Sequence, residues 1–179
     1  MKKIIWSSML VLVLFTSVYG LAFAADARVT DKEVLQDLAA VRQATAKFHD
    51  IDEAIAAGYV ATPTCTAAPG IGGMGYHYIN IGLVMDPAID LTSPEVLLYE
   101  KTGGGLKLVG VEYFLPIGPP DAPIPNPAPP APELFGRAFD GPMLGHEPGM
   151  PPHYDLHVWV WQANPDGMFA QFNPNVTCP

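Results

Sequence analysis

Three of the chain's five histidines, His146, His153 and His157, crowd into one stretch near the C-terminus, and a fourth, His77, stands between Tyr76 and Tyr78. On an extended strand alternate residues share a face, so His153, Asp155, His157, Trp159 and Trp161 are expected to point one way. Leu156, Val158 and Val160 then point the other way, into a core, and leave the imidazoles facing outward. Imidazole nitrogens bind zinc and copper, and a carboxylate between them serves as a further ligand or as an acceptor that orients a ring. The alternative is a solvated His/Trp face on which Asp155 pairs a protonated histidine.

Glu112 strengthens the metal reading. By simple alternation it shares a face with Leu106, Leu108 and Phe114, while Val109, Val111 and Tyr113 occupy the other. A carboxylate inside a strand that is apolar on both faces is costly unless paired or coordinated. Few bases are available to pair it, so histidine or a metal is the natural partner; a sheet-edge position reaching water is the other. Strand geometry also ranks the ligands. His153 and His157 sit about 13 Å apart along an extended strand, too far for easy convergence on one ion. His157 and Glu112 therefore rank above His153, with His77 between them, and His146 is an exchangeable ligand on a Gly/Pro loop. Asp155 is expected to orient rather than to bind. The expected cofactor is one divalent or copper ion, and metal-activated water with Glu112 or Asp155 as base would be its chemistry.

Other chemistries fall away. Ser93 is the one serine after the N-terminal apolar run, and it sits before a proline as turns and caps require. Gly70, Gly72 and Gly75 spell a dinucleotide fingerprint but precede a strand rather than a helix, where no pyrophosphate site forms. Met143 and Met150 flank His146, a combination that suits Cu(I), although methionines in such loops also serve as apolar anchors. His49, close to Asp52 and Glu53, reads as a solvated helix-face residue.

Several of these residues belong to longer motifs: Gly73-Met74-Gly75-Tyr76-His77, Val111-Glu112-Tyr113, Gly145-His146-Glu147-Pro148, His153-Tyr154-Asp155-Leu156-His157-Val158-Trp159 and Phe172-Asn173-Pro174-Asn175-Val176-Thr177-Cys178. Across them the chain resembles a family of exported bacterial proteins of unassigned function. That resemblance implies export and no particular chemistry. The His-x-x-x-His spacing is also similar to cupins, but their first motif is His-x-His followed by Glu, a departure that carries no ligand set across.

The elements that must position these residues are legible in outline. Thr30-Asp31-Lys32-Glu33 fits a capping box, and Val34, Leu38, Val41, Thr45 and Phe48 follow at helical spacing until Gly58. The pattern predicts a helix over 31–57 with a break near His49, where Asp50 offers a second cap. Strands are expected over 76–81, 96–100, 106–115 and 155–162, with 101–105 as a hairpin loop and 164–167 turning the chain toward a last strand over 168–172. Nine of the seventeen residues in 116–132 are proline, which predicts a long surface loop within one domain, without ladder hydrogen bonds, either wrapping the sheet or covering a site. No strand–helix alternation follows residue 60. The expected fold is α+β, an N-terminal helix or helix pair packed on an antiparallel sheet or small barrel.

Residues 1–24 read as a signal peptide: Lys2 and Lys3, an apolar run, and Ala22-Phe23-Ala24 at the cleavage site. Cleavage after Ala24 leaves one domain over 25–179, in the periplasm or secreted. It also leaves seven basic against eighteen acidic residues, a net charge of −11. Such a surface repels phosphate backbones and anionic membranes, so neither nucleic acid nor membrane is an expected partner, and a small molecule or metal ion is. Cys65 and Cys178, alone in an exported chain, are expected to form one disulfide. Against the metal site stands a rival: a metal-free binding module that presents Tyr154, Trp159, Trp161 and the proline-rich loop to a partner.

Overall fold

The computed structural model describes residues 32–179. The capping box at Thr30 and the signal peptide lie outside the described residues. The expected long helix is broken as its second cap demands: α1 spans Lys32–Thr45, a 3-10 turn spans Ala46–His49, and α2 spans Ile51–Ala56. Asp50 accepts a hydrogen bond from the Asp52 amide and so starts the new helix. Gly58 follows at φ +94°, a conformation that side chains resist. His49 is exposed, as expected, with its ring against Trp161.

Beyond Gly58 come β1 (Val60–Ala68), β2 (Gly72–Ile79), the one-turn α3 (Ile81–Val84), β3 (Val96–Thr102) and β4 (Gly105–Pro116). The short pairs β5 (Glu133–Leu134) and β6 (Arg137–Ala138), then β7 (Asp140–Met143) and β8 (His153–Val158), complete the order. Six strands form one antiparallel sheet in the order β1-β2-β3-β4-β8-β7. The sheet curls into a half-barrel, and the molecule is α+β.

One face of the sheet packs under the helices. Leu97, Tyr99, Leu108, Val111, Tyr113, Leu156 and Val158 lie there fully buried, together with Leu38, Val41 and Phe48. Each such side chain contributes about 1.5–3 kcal/mol by leaving water. Arg42 of α1 reaches the Val160 carbonyl, and the Tyr99 hydroxyl donates to that of Phe48, which fixes the helices on the sheet. The opposite, concave face carries a smaller cluster: Val96, Leu98, Val109, Phe114, Trp159 and Val176. Cys65 on edge strand β1 is bonded to Cys178 across a separation of 113 residues.

Four strand expectations change, the first being that β2 starts at Gly72 and ends at Ile79, with Ile81 opening α3. β4 does not alternate simply, because the pairing with β3 slips between Leu98 and Tyr99, where Leu98 faces Gly110 but Tyr99 faces Leu108. Val109 is the extra residue of a bulge, so Leu108 joins the helix-side core and Val109 the concave cluster. β8 begins at His153 and ends at Val158, earlier than expected at both ends. Trp161 thus leaves the face of His157 and donates to Thr45 of α1. Residues 168–172 are turns and bends, with a lone bridge between Gly73 and Asn173. Pro116, expected in the loop, instead ends β4 opposite His153; residues 117–132 hold no helix or strand, and contacts tie them down: the Ile117 amide donates to Pro152, and the Tyr154 hydroxyl to Pro129.

Candidate metal centre

β4 and β8 bring the first two candidate ligands side by side, since Glu112 pairs directly with His157. β4 lies between β3 and β8, so Glu112 is on an interior strand, 3% exposed, and the sheet-edge alternative is excluded. His77 arrives from β2 with β3 in between. In the ladder it faces Leu98, which faces Gly110, two residues from Glu112. The curl of the sheet brings the imidazole across that interval, so that its Nε2 reaches Glu112.

The resulting spacing is informative. His77 Nε2 lies 3.4 Å and His157 Nε2 3.8 Å from the same atom, Glu112 Oε2. One ligand atom from each of the three residues falls within 4.8 Å of the others. Charge-assisted N–H···O bonds close to about 2.7–2.9 Å. Two ligands held 2.0–2.2 Å from a tetrahedral ion stand about 3.3–3.6 Å apart. The separations match ligands around an ion better than a hydrogen-bonded pair. Glu112 Oε2 and His157 Nε2 are buried and have no hydrogen-bond partner, a state that costs free energy until something binds them.

Electrostatics prepare the donors. Burial pushes the pKa of His77 down to about 3, with the neighbouring His157 adding to the fall. Burial likewise lowers that of His157. Both rings are therefore neutral at ordinary pH, as a metal ligand must be. Burial raises Glu112 well above the usual carboxylate range, and the charges of Asp155 and Glu95 push the same way. A divalent ion reverses that penalty. His157, expected to face outward, is instead 1% exposed, stacked on Trp159 with Asp155 Oδ1 4.0 Å from its Nδ1. At that distance Asp155 makes no hydrogen bond to the ring, and both its Oδ1 and His157 Nδ1 are buried without a partner, so the expected orienting contact is not formed.

His153 and His146 stand apart from this cluster. His153 is fully buried, its ring stacked on Phe114, and its Nε2 is 3.7 Å from Asp155 Oδ2. His146 is exposed, with its ring centroid 5.4 Å from that of His153. Its amide donates to Met150 Sδ, so this methionine anchors the loop.

A cavity of about 450 Å³ is lined by His77, Glu112 and His157 among others. Its walls are mostly apolar, with Met74, Ile79, Val96 and Phe114 among them, and residues 146–151 form one side. Thr64 of β1 donates to Glu147 and bridges the two rims. No residue of 117–132 lines the cavity. The segment beside the site is therefore 146–151, and of the two expectations for the proline-rich stretch, covering the site is not met; that stretch braces the loop through Asp121, which accepts from the Gly149 amide. Thr62 and Thr66 were not legible as cavity residues, because β1 lacks the apolar alternation that marks a strand.

No family model, curated protein or solved structure matches the chain.

Proposed function

We propose that this is an exported metal-binding protein in which His77, Glu112 and His157 hold one divalent ion. The carrying observation is the spacing around Glu112 Oε2, 3.4 and 3.8 Å to two neutral imidazoles. Three protein ligands leave a coordination position free, and the 450 Å³ cavity gives a small molecule access to it. That volume suits ligands of modest size. An ion placed there supplies Lewis acidity toward such a molecule, or toward water. Two imidazoles and a carboxylate suit zinc and also accept copper.

Export is supported by the basic-apolar-small pattern of residues 1–24 and by the Cys65–Cys178 bond, which persists in oxidising compartments. No helix among the described residues is long and apolar enough to cross a membrane. The metal-free module is less well supported, because Trp159 is 1% and Tyr154 3% exposed and neither offers a contact face. Elemental analysis of untagged protein purified from the periplasm tests the proposal. At least one equivalent of zinc or copper is expected, and His157→Ala should hold one equivalent fewer; metal-free protein that binds neither ion on titration would overturn it.

A further inference from the structure

We propose a second cation position next to the first, built from His153 and Asp155 of β8 and completed by His146. It goes beyond the mononuclear site, shares none of its ligands, and stands on separate atoms. His153 Nδ1 is 2.9 Å from the Pro151 carbonyl. A carbonyl only accepts, so this contact places a proton on Nδ1, and in the neutral ring it leaves the lone pair on Nε2. That is how proteins fix a metal-binding imidazole: one nitrogen donates to a carbonyl, the other faces the ion. His153 Nε2 is buried and has no hydrogen-bond partner.

What it faces is another acceptor. Asp155 Oδ2 lies 3.7 Å away. A lone pair opposite a carboxylate is repulsive unless positive charge lies between them. A proton shared by the two groups would draw them to about 2.7–2.9 Å. Two ligands of one ion stand about 3.3–3.6 Å apart, much nearer to what is seen. Residues two apart on a strand share a face, so a His-x-Asp pair can chelate without bending the backbone.

Asp155 lies between the two positions. Its Oδ1 faces His157 Nδ1 at 4.0 Å while Oδ2 faces His153. Oδ1 is too far from that ring for a hydrogen bond and is itself buried without a partner, so only Oδ2 is assigned a role, as a ligand of the second ion. The third ligand would swing in from the loop, because among the described residues only His77, Glu112 and His157 already bring ligand atoms within 4.8 Å of one another. His146 lines the cavity, is exposed, and approaches His153 edge-on at 5.4 Å between ring centroids. A borderline divalent ion such as Zn²⁺ suits two imidazoles and a carboxylate.

The test is a Zn²⁺ titration of the chelator-stripped mature protein, followed by calorimetry and by elemental analysis after gel filtration. Two Zn²⁺ per chain are expected. His157→Ala should lose one and keep the other. His146→Ala, an exposed loop change that leaves the core intact, should weaken one of the two by at least about tenfold, the lower end of what loss of an outer-shell partner costs. His153→Ala should abolish the same one, and if it does not fold, His146→Ala still decides. One Zn²⁺ per chain, unmoved by His146→Ala, overturns the second position and leaves the first. One Zn²⁺ that disappears in His146→Ala but survives His157→Ala overturns the first and leaves the second. No binding at all overturns both.

Discussion

At the scale of single residues, burial creates the chemistry. His77, Glu112 and His157 each have a pKa displaced toward its neutral form by loss of water. The metal-free protein thus holds two neutral imidazoles and a carboxyl group resisting ionisation, an arrangement a divalent ion relieves. Glu112→Gln keeps the shape but removes the anionic ligand. Zn²⁺ affinity should fall by more than about a hundredfold, beyond the 10–100-fold that outer-shell changes cost, while circular dichroism stays native; unchanged affinity would remove Glu112 from the site. Glu95 allows a cleaner test of pH. It is 2% exposed, accepts the Phe114 amide, and has its pKa raised to about 7, chiefly by burial. A carboxyl group with a folded pKa above its unfolded value stabilises most below pH 4.5, and that stability is lost as pH rises to about 7. At about 1.4 kcal/mol per unit, the loss is roughly 3 kcal/mol. Glu95→Gln retains an acceptor oxygen and should flatten this slope, raising Tm by several degrees at pH 8 in chelated protein. A Tm difference that does not change between pH 4 and 8 would contradict the assignment.

At the scale of elements, the bulge at Val109 and the glycine after it make the site compatible with a packed sheet. A Cβ on Gly110 would meet the Val158 carbonyl at 2.9 Å and Trp159 Cε3 at 3.2 Å. Gly110→Ala must therefore push β8 away from β4 at the residues next to the Glu112–His157 pair. Overpacking of this kind costs about 1–3 kcal/mol. The variant should unfold earlier and bind Zn²⁺ more weakly than wild type, since His157 moves with its strand. Equal affinity at reduced stability would show that the ligands seat independently of the β4–β8 spacing. Gly75 plays a similar part on β2. It adopts φ +92°, and a side chain there would strike the Tyr99 carbonyl at 2.5 Å, so only glycine lets β2 carry His77 against β3.

At the scale of the whole molecule, one covalent tie holds the open edge of the half-barrel. The Cys65–Cys178 bond joins β1, which carries Thr62 and Thr66 of the cavity wall, to the C-terminus over 113 residues. Chain entropy assigns a loop of that length roughly 4–5 kcal/mol, commonly reduced to 2–4 in practice. Reduction should lower Tm by about 5–15 °C for a domain of this size, and should loosen metal binding because one wall of the cavity is released. Native protein that titrates two free thiols, or a Tm insensitive to reductant, would refute this role.

Local rules were enough to read the helical break at Asp50, the turn at Gly58, the hairpin between β3 and β4, and the α+β class. Capping, positive φ and strand alternation all act within a few residues, so they leave a mark on neighbouring residue types. The same locality made His77, Glu112 and His157 stand out as candidates, because a carboxylate or imidazole in an apolar strand needs a partner wherever that strand goes. Partner choice was not legible. The convergence of His77 on Glu112 depends on the curl of the sheet across β3, and the sorting of Leu108 and Val109 depends on a bulge set by pairing with Tyr99. Separating His153 and His146 from the first three ligands likewise required β4–β8 register and the path of residues 146–151. These are non-local pairings, fixed when distant segments share hydrogen bonds and core volume, and no single segment encodes them.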